Sequence, residues 1–388
     1  MSIMKTRKGL VALMAVALVA IALMGTITAG CGDEEETTTT AAEAADTTAA
    51  AEPTETTAAE ETEMTMAALS ASLNGAGATF PKPLYVEWIG EFQTVETGVK
   101  INYQGIGSGG GIEQFTQMTV DFGASDAPMK DEEIAAAEEA SGAAVLHIPT
   151  VFGAVVCAYN LDGVGELKLD PDTLAAIFLG EITNWNDPAL AALNEGVTLP
   201  DEAINVVHRS DSSGTTNIFT SYLADVSQPW ADGPGPGKEI EWPVGVGGQG
   251  NDGVAAVIQQ QAGSLGYVEL SYAIESGLTM AELQNQSGNF ITPSLESTSA
   301  AAAGAEFPED LRFSVANSPN PDAYPICGAT WLLCYDKMDD AAKADALKAW
   351  ITWSLEEGTT VAEELGYAPL PEDLKAKALQ KVDMINAM

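Results

Sequence analysis

The sequence predicts an α/β fold with enough chain for two lobes. Three observations lead there. Short β-branched runs alternate with amphipathic stretches at helical spacing. The chain from Leu69 to Met388, 320 residues, exceeds the roughly 250–300 residues at which a single core stops growing. Segments crowded with Gly, Ser and Thr stand where strands should hand over to helices. Strands are expected at Lys100–Gln104, Val145–Ile148, Ala154–Tyr159, Ile204–His208, Gly266–Leu270 and Thr330–Tyr335. Helices are expected at Leu84–Thr94, Gly111–Met118, Asp131–Glu139, Pro171–Leu179, Thr215–Leu223, Gly253–Gln261, Asp339–Leu355 and Thr360–Leu365. The last of these stops at Gly366 with Pro369 and Pro371 beyond, a helix-end signature. The Gly- and Pro-rich stretch Ala231–Lys238 reads as a surface excursion.

The N-terminus sets where this body works. Lys5, Arg7 and Lys8 precede an uncharged run from Gly9 to Leu23, then Thr28-Ala29-Gly30-Cys31, the layout of a secretory signal over residues 1–30. Small residues directly before a cysteine resemble the lipobox of bacterial lipoproteins, although Thr28 stands where Leu is usual. That resemblance implies cleavage before Cys31 and lipid on its thiol, an extracytoplasmic body anchored to the cell membrane. Residues 31–68 follow as a stalk. Between Gly32 and Met66 it holds 11 acids and no base, too polar and too self-repelling to offset its ordering entropy.

Charge narrows the partners. The chain has 56 acidic and 16 basic residues. Without the 11 acids of the stalk and the three bases of the signal, the body keeps a formal charge of about −32. Such acidity excludes nucleic acid as a partner and opposes binding to an anionic membrane face. Two histidines, His147 and His208, and four cysteines, Cys31, Cys157, Cys327 and Cys334, offer no zinc spacing, so no metal and no cofactor is expected.

Three segments share one design. They are Gly75–Pro81, Gly105–Gly111 and Arg209–Thr216, each glycine-rich or hydroxyl-rich and each ahead of an expected helix. A helix N-terminus offers unpaired N–H groups and partial positive charge, so each can seat an anion. Taken singly, each is also ordinary helix capping. Arg209 sharpens the anion reading, because the chain after Cys31 has only one other arginine, Arg312. Its planar fork can grip two oxygens of an oxyanion, with Asp211 positioned to pin it.

The residues then carry a family resemblance. Gly75–Tyr85 (GAGATFPKPLY), Asn102–Gly111 (NYQGIGSGGG), Val120–Pro128 (VDFGASDAP), Val207–Leu223, Trp242–Gly253 (WPVGVGGQGNDG) and Gly366–Pro371 (GYAPLP) together resemble the bacterial periplasmic phosphate-binding proteins of the Pst importer. The resemblance implies a two-lobed type II solute-binding fold with a two-strand hinge, closing on one inorganic phosphate for delivery to the membrane permease of an ABC importer. It implies a monomer and no catalysis. Residues 69–149 with 325–388 would form lobe one, and 150–324 lobe two. Thr79, Phe80 and Ser108 would donate to the ligand from lobe one, and Asp126 would accept. Arg209, held by Asp211, would clamp from lobe two with Ser213, Gly214 and Thr215. The departures are Gly109 and Ser210, where Ser and Ala are common, and the three cysteines of the body.

Other readings compete. Gly105-x-Gly107-x-x-Gly110 with Asp126 about 20 residues on fits a dinucleotide fingerprint, and Gly245-x-Gly247-x-x-Gly250 fits the same string. Two hits in one glycine-rich chain show how permissive that string is. A hydrolase built on Ser108 and His208 lacks a Gly-x-Ser-x-Gly elbow, since Ile106 takes the first glycine's place. A receptor for another oxyanion or a phosphate ester on the same fold differs only in the acid of the site.

Overall fold

The structure, a computed structural model, describes residues 69–388; the expected signal, Cys31 and the stalk lie outside them. In chain order the body begins with β1 (Ala71–Gly77), α1 (Lys82–Val95), β2 (Val99–Gly105), α2 (Ser108–Thr116), β3 (Phe122–Ser125), α3 (Asp131–Ser141) and β4 (Val145–Asn160). It continues with β5 (Lys168–Leu169), α4 (Pro171–Leu179), α5 (Pro188–Leu193), β6 (Asn205–Arg209), α6 (Gly214–Val226) and α7 (Gln228–Asp232). Next come β7 (Val246–Gly248), α8 (Gly250–Gln260), β8 (Ser264–Glu269), α9 (Leu270–Ser276), β9 (Thr279–Met280), β10 (Glu282–Gln284), β11 (Phe290–Ile291) and α10 (Leu295–Ala302). The chain closes with β12 (Cys327–Tyr335), β13 (Lys337–Met338), α11 (Ala341–Glu356), α12 (Thr359–Glu364), β14 (Ala368–Pro369), α13 (Glu372–Asp383) and β15 (Asn386–Ala387).

One ladder organises both lobes, in the order β2-β1-β3-β12-β4-β8-β6-β7. The βαβ units β1-α1-β2 and β6-α6…β7 pair their strands in parallel, as crossover connections require. β4 is the pivot. Residues 145–154 of it pair antiparallel with β12, and residues 155–160 pair with β8. The change of partner falls between Ala154 and Val155, where the N–H of Val155 donates to the carbonyl of Ile326. β4 is therefore the strand that joins the two halves of the ladder.

Three expectations need correction here. Val145–Ile148 and Ala154–Tyr159 are one strand. Pro149 lacks a ladder N–H, but the partner register shifts between Thr330 and Trp331, opposite that proline, and a bulge is where a strand tolerates one. Gly75–Gly77 is not loop but the end of β1; the loop proper is Ala78–Pro81. Ala231–Lys238 is only partly an excursion. Trp230 before it is buried, and at its far end the N–H of Ser213 donates to the Lys238 carbonyl at 2.8 Å.

Each lobe has its own aromatic core. Tyr85, Trp88, Phe122 and Trp350 pack in the first; Phe178, Phe219, Trp242 and Tyr267 pack in the second. Such rings bury large apolar areas and fix geometry through tilted and stacked contacts. Cys157, Cys327 and Cys334 are buried free thiols. Cys334 lies opposite Leu146, and Cys157 opposite Tyr267, so the strands hold the first and last of them apart. Among the described residues no helix is long and apolar enough to cross a membrane.

Candidate functional site

Parallel strands present their C-terminal ends at the line where the lobes meet, and there three helices begin. Gly107 precedes α2 with φ +88°; Ser213 caps α6, its hydroxyl accepting from Thr216 N–H at 3.1 Å; Gln249 and Gly250 open α8. The Ala78–Pro81 loop ahead of α1 faces them. This is the crevice at the ends of strands where α/β proteins place ligands.

Glycine permits the approach of the two sides. A Cβ on Gly214 would lie 2.5 Å from Ser108 Oγ and 2.6 Å from Asp126 Oδ2, and one on Gly107 would lie 2.5 Å from Asp211 Oδ2. With neither present, the sides bond directly. Gly214 N–H donates to Ser108 Oγ at 3.0 Å, and Gly109 N–H to the Ser212 carbonyl at 3.0 Å. Tyr272 Oη donates to the Thr79 carbonyl at 2.6 Å.

Arg209 is the cationic centre, with its side chain only 1% exposed. Its Nε and Nη2 donate to the two oxygens of Asp211 at 2.7 and 2.5 Å, and Nη1 donates to Thr215 Oγ1 at 3.3 Å. Burial alone would raise the Asp211 carboxyl, but the Arg209 hydrogen bonds and charge and the Gly250 N–H hold it below its ordinary value. Asp126 is different. It accepts from Thr330 Oγ1 at 2.8 Å and weakly from Ser108 Oγ at 3.4 Å. Burial pushes its carboxyl up to about 7, against the pull of Thr330 and the Arg209 charge. A buried acid poised near neutrality can accept a proton or give one as its partner requires.

Seven of the nine residues singled out in the sequence fall into two hydrogen-bonded sets: Ser108, Asp126 and Gly214 in one, and Arg209, Asp211, Thr215 and, through Asn251, Thr79 in the other. Ser213 sits among them as the α6 cap. Phe80 contributes a carbonyl that accepts from Tyr367 Oη at 2.7 Å, and a ring packed where Gly153 of β4 leaves room. Three further residues went unread. Thr330 holds Asp126. Asn251 touches both Thr79 and Thr215. Glu269 is fully buried and pushed up to about 8 by that burial. Its Oε2 accepts from the Ser271 N–H and from Tyr367 Oη, both at 2.9 Å. Asn251 carried a readable signal, since Val246–Asn251 repeats the glycine-rich strand-to-helix handover without its hydroxyls.

His208 stacks on Trp242 with centroids 4.7 Å apart, and its Nδ1 bonds the Arg209 carbonyl. It has no hydrogen bond to Ser108, whose oxygen is engaged by Asp126 and Gly214. Among the described residues no three histidines, cysteines or acids converge to hold a metal ion.

A two-lobed sheet protein whose helix N-termini converge on a buried arginine is a solute-binding protein in architecture, and residues 31–357 match the PBP superfamily domain. Within that superfamily the chain belongs to the PstS family. It is 44% identical over 310 residues to the phosphate-binding protein PstS of Pasteurella multocida, covering 79% of this chain and 88% of that one. It is 40% identical over 333 residues to PstS of Methanocaldococcus jannaschii, covering 80% and 85%. The fold also matches a solved high-affinity periplasmic phosphate-binding protein (PfluDING) bound with phosphate, with TM-score 0.64 and 21% identity, covering 79% of this chain and 92% of that one. A putative phosphate ABC transporter substrate-binding protein with bound phosphate from Clostridium perfringens matches with TM-score 0.57 and 16% identity, covering 78% and 100%.

Proposed function

We propose that this protein binds inorganic phosphate outside the cytoplasm and delivers it to the membrane subunits of an ABC importer, as a carrier and not an enzyme. The observation that carries the reading is the pairing, in one buried cluster, of a pinned arginine with a lone carboxyl held near neutrality. An oxyanion needs the first. Only an oxyanion that still carries a proton at neutral pH needs the second. The names of the PstS relatives support the same ligand, and the description of the Clostridium perfringens protein as an ABC transporter substrate-binding protein supports the transport role.

In this reading residues 69–149 with 325–388 form one lobe and residues 150–324 the other. Thr79 and Phe80 donate from the first, with Ser108. Asp126 accepts the phosphate proton's hydrogen bond. Arg209, held by Asp211, closes from the second lobe with Ser213, Gly214 and Thr215. Short-range donors do this work against a body whose net charge repels anions. Cys31 carries the lipid, the acidic stalk spaces the body from the membrane, and a single copy suffices for binding. Calorimetric titration tests the ligand: one phosphate per chain, with sulfate far weaker, is expected. Absent phosphate binding, or sulfate bound as tightly, would remove the reading.

A further inference from the structure

Asn251 is fully buried at the first turn of α8, and every one of its side-chain polar groups has a partner. The N–H of Glu269 donates to Oδ1 at 3.0 Å. A backbone N–H can only donate, so this contact fixes which end of the amide is oxygen. The NH₂ end must then face the opposite way, and it spans the two sides of the site. Nδ2 donates to Thr79 Oγ1 at 3.0 Å and to Thr215 Oγ1 at 3.2 Å.

The two threonines are left in the same condition. Thr79 Oγ1 receives a second donor, the N–H of Asn251 itself, at 3.2 Å. Thr215 Oγ1 receives Nη1 of Arg209 at 3.3 Å. A hydroxyl has two acceptor sites and one proton. With both acceptor sites taken, each threonine can act on a third group only by donating. A free hydroxyl rotates and can turn either its lone pair or its proton to a ligand; these two are committed.

We propose that Asn251 is a positioning residue that sets the polarity of the site: by donating to Thr79 and Thr215 at once, it forces both hydroxyls to present protons to a fully deprotonated face of the bound oxyanion. It touches neither Asp126 nor the ligand proton, so it divides the site into a donor face and a single accepting carboxyl. This inference rests on the phosphate reading, and deepens it by naming what orients the hydroxyls.

Asn251→Asp tests it, because that change keeps the shape and the oxygen facing Glu269 N–H while replacing the donor with an acceptor. Near pH 8 phosphate affinity should fall roughly ten- to hundredfold, the scale of a buried polar group left unpaired. Protonating the new acid restores a donor, so the deficit relative to the parent should shrink by roughly tenfold or more toward pH 5, the linkage of one proton. Arg209, Asp126, Asp211, Asp252 and Glu269 surround the position and are shared by both proteins, as is the titration of phosphate itself, so the ratio of affinities isolates residue 251. Should Asn251→Asp fail to fold, Asn251→Ala and Thr215→Val form a cycle in which the second change is expected to cost little once the first is made. Wild-type affinity in Asn251→Asp, a deficit independent of pH, or strictly additive losses in the cycle would overturn the assignment. A parent that fails to bind phosphate at all would instead overturn the ligand reading, and this inference with it.

Discussion

The two sides of the site solve different problems. On the β6–α6 side the charge is permanent: Arg209 is buried, and Asp211 meets both arms of its fork. On the β3 side the charge is conditional, because Asp126 has no cationic partner of its own and sits near neutrality. In the proposed reading the first arrangement supplies attraction that hardly changes with conditions. The second supplies discrimination that depends on who holds a proton. That reading assigns affinity chiefly to one side and selectivity to the other.

The largest expected effect breaks the permanent side. Arg209→Ala should weaken phosphate binding by about 2–5 kcal/mol, the range for truncating one partner of a buried charge pair, part of it from Asp211 left alone. Arg312→Ala is the comparison. That arginine bonds Asp131, Asp310 and the Met129 carbonyl, and its loss should leave affinity within a few-fold. Titrations in which both variants bind alike would deny Arg209 its place.

Next comes the conditional side. Asp126→Asn removes the charge that repels a fully deprotonated anion and supplies a donor in its stead, so sulfate rejection should shrink by on the order of 100-fold or more from a built-in discrimination that can reach roughly 10⁴–10⁵. Arsenate, protonated like phosphate, should stay close to phosphate. Unchanged sulfate rejection would sink the role. The parent offers the same test through pH. Below about 7 the carboxyl gains its proton and becomes a donor, so sulfate should bind progressively better as pH falls through that range; a flat sulfate profile would contradict it. The sign for stability follows from the same groups. Asp126 and Glu269 both hold protons more tightly folded than unfolded. Their contribution is full at acid pH, below the unfolded carboxyl value, and lost as pH rises through about 7 and about 8. The unliganded protein should melt at a higher temperature at pH 5 than at pH 8.

The smallest effect lies at the rim. Lys238 Nζ reaches Glu133 of α3 at 2.6 Å across the junction, with the side chains 13% and 26% exposed. Solvent screens such a pair, so Lys238→Ala should cost roughly 1 kcal/mol or less, mainly as faster phosphate release measured by stopped flow. Exchanging the two charges should recover most of it. A charge exchange that recovers nothing would show that the pair does not bridge the lobes in solution.

How much of this was legible in the residues follows from range. Arg209, Asp211 and the hydroxyls announce themselves because scarcity and spacing are local properties of the chain. The α/β alternation was legible for the same reason. β4 was not read as continuous, since a proline argues against a central strand, and the bulge at Thr150 that excuses it shows only when β4 is set against Thr330 and Trp331 of β12. Thr330 escaped because a lone threonine has no pattern of its own, and Asn251 because its glycine-rich surroundings mark a handover to a helix without singling out the amide. Their work appears only when α8 and β12 are set against Thr79 and Asp126. Glu269 reads as one more acid in an acidic chain until its burial is seen.

The shared strand has a consequence for how the molecule comes apart. Because β4 is an inner strand of the continuous ladder, with β12 bonded along one half and β8 along the other, neither lobe can lose its sheet without baring an edge of its neighbour. Two lobes joined only by loops would denature independently; these should melt together, in a single cooperative step with calorimetric and van't Hoff enthalpies in agreement. Ligand held between them then protects the whole body, including α13 and other segments far from the site, so hydrogen exchange should slow in both lobes when phosphate binds.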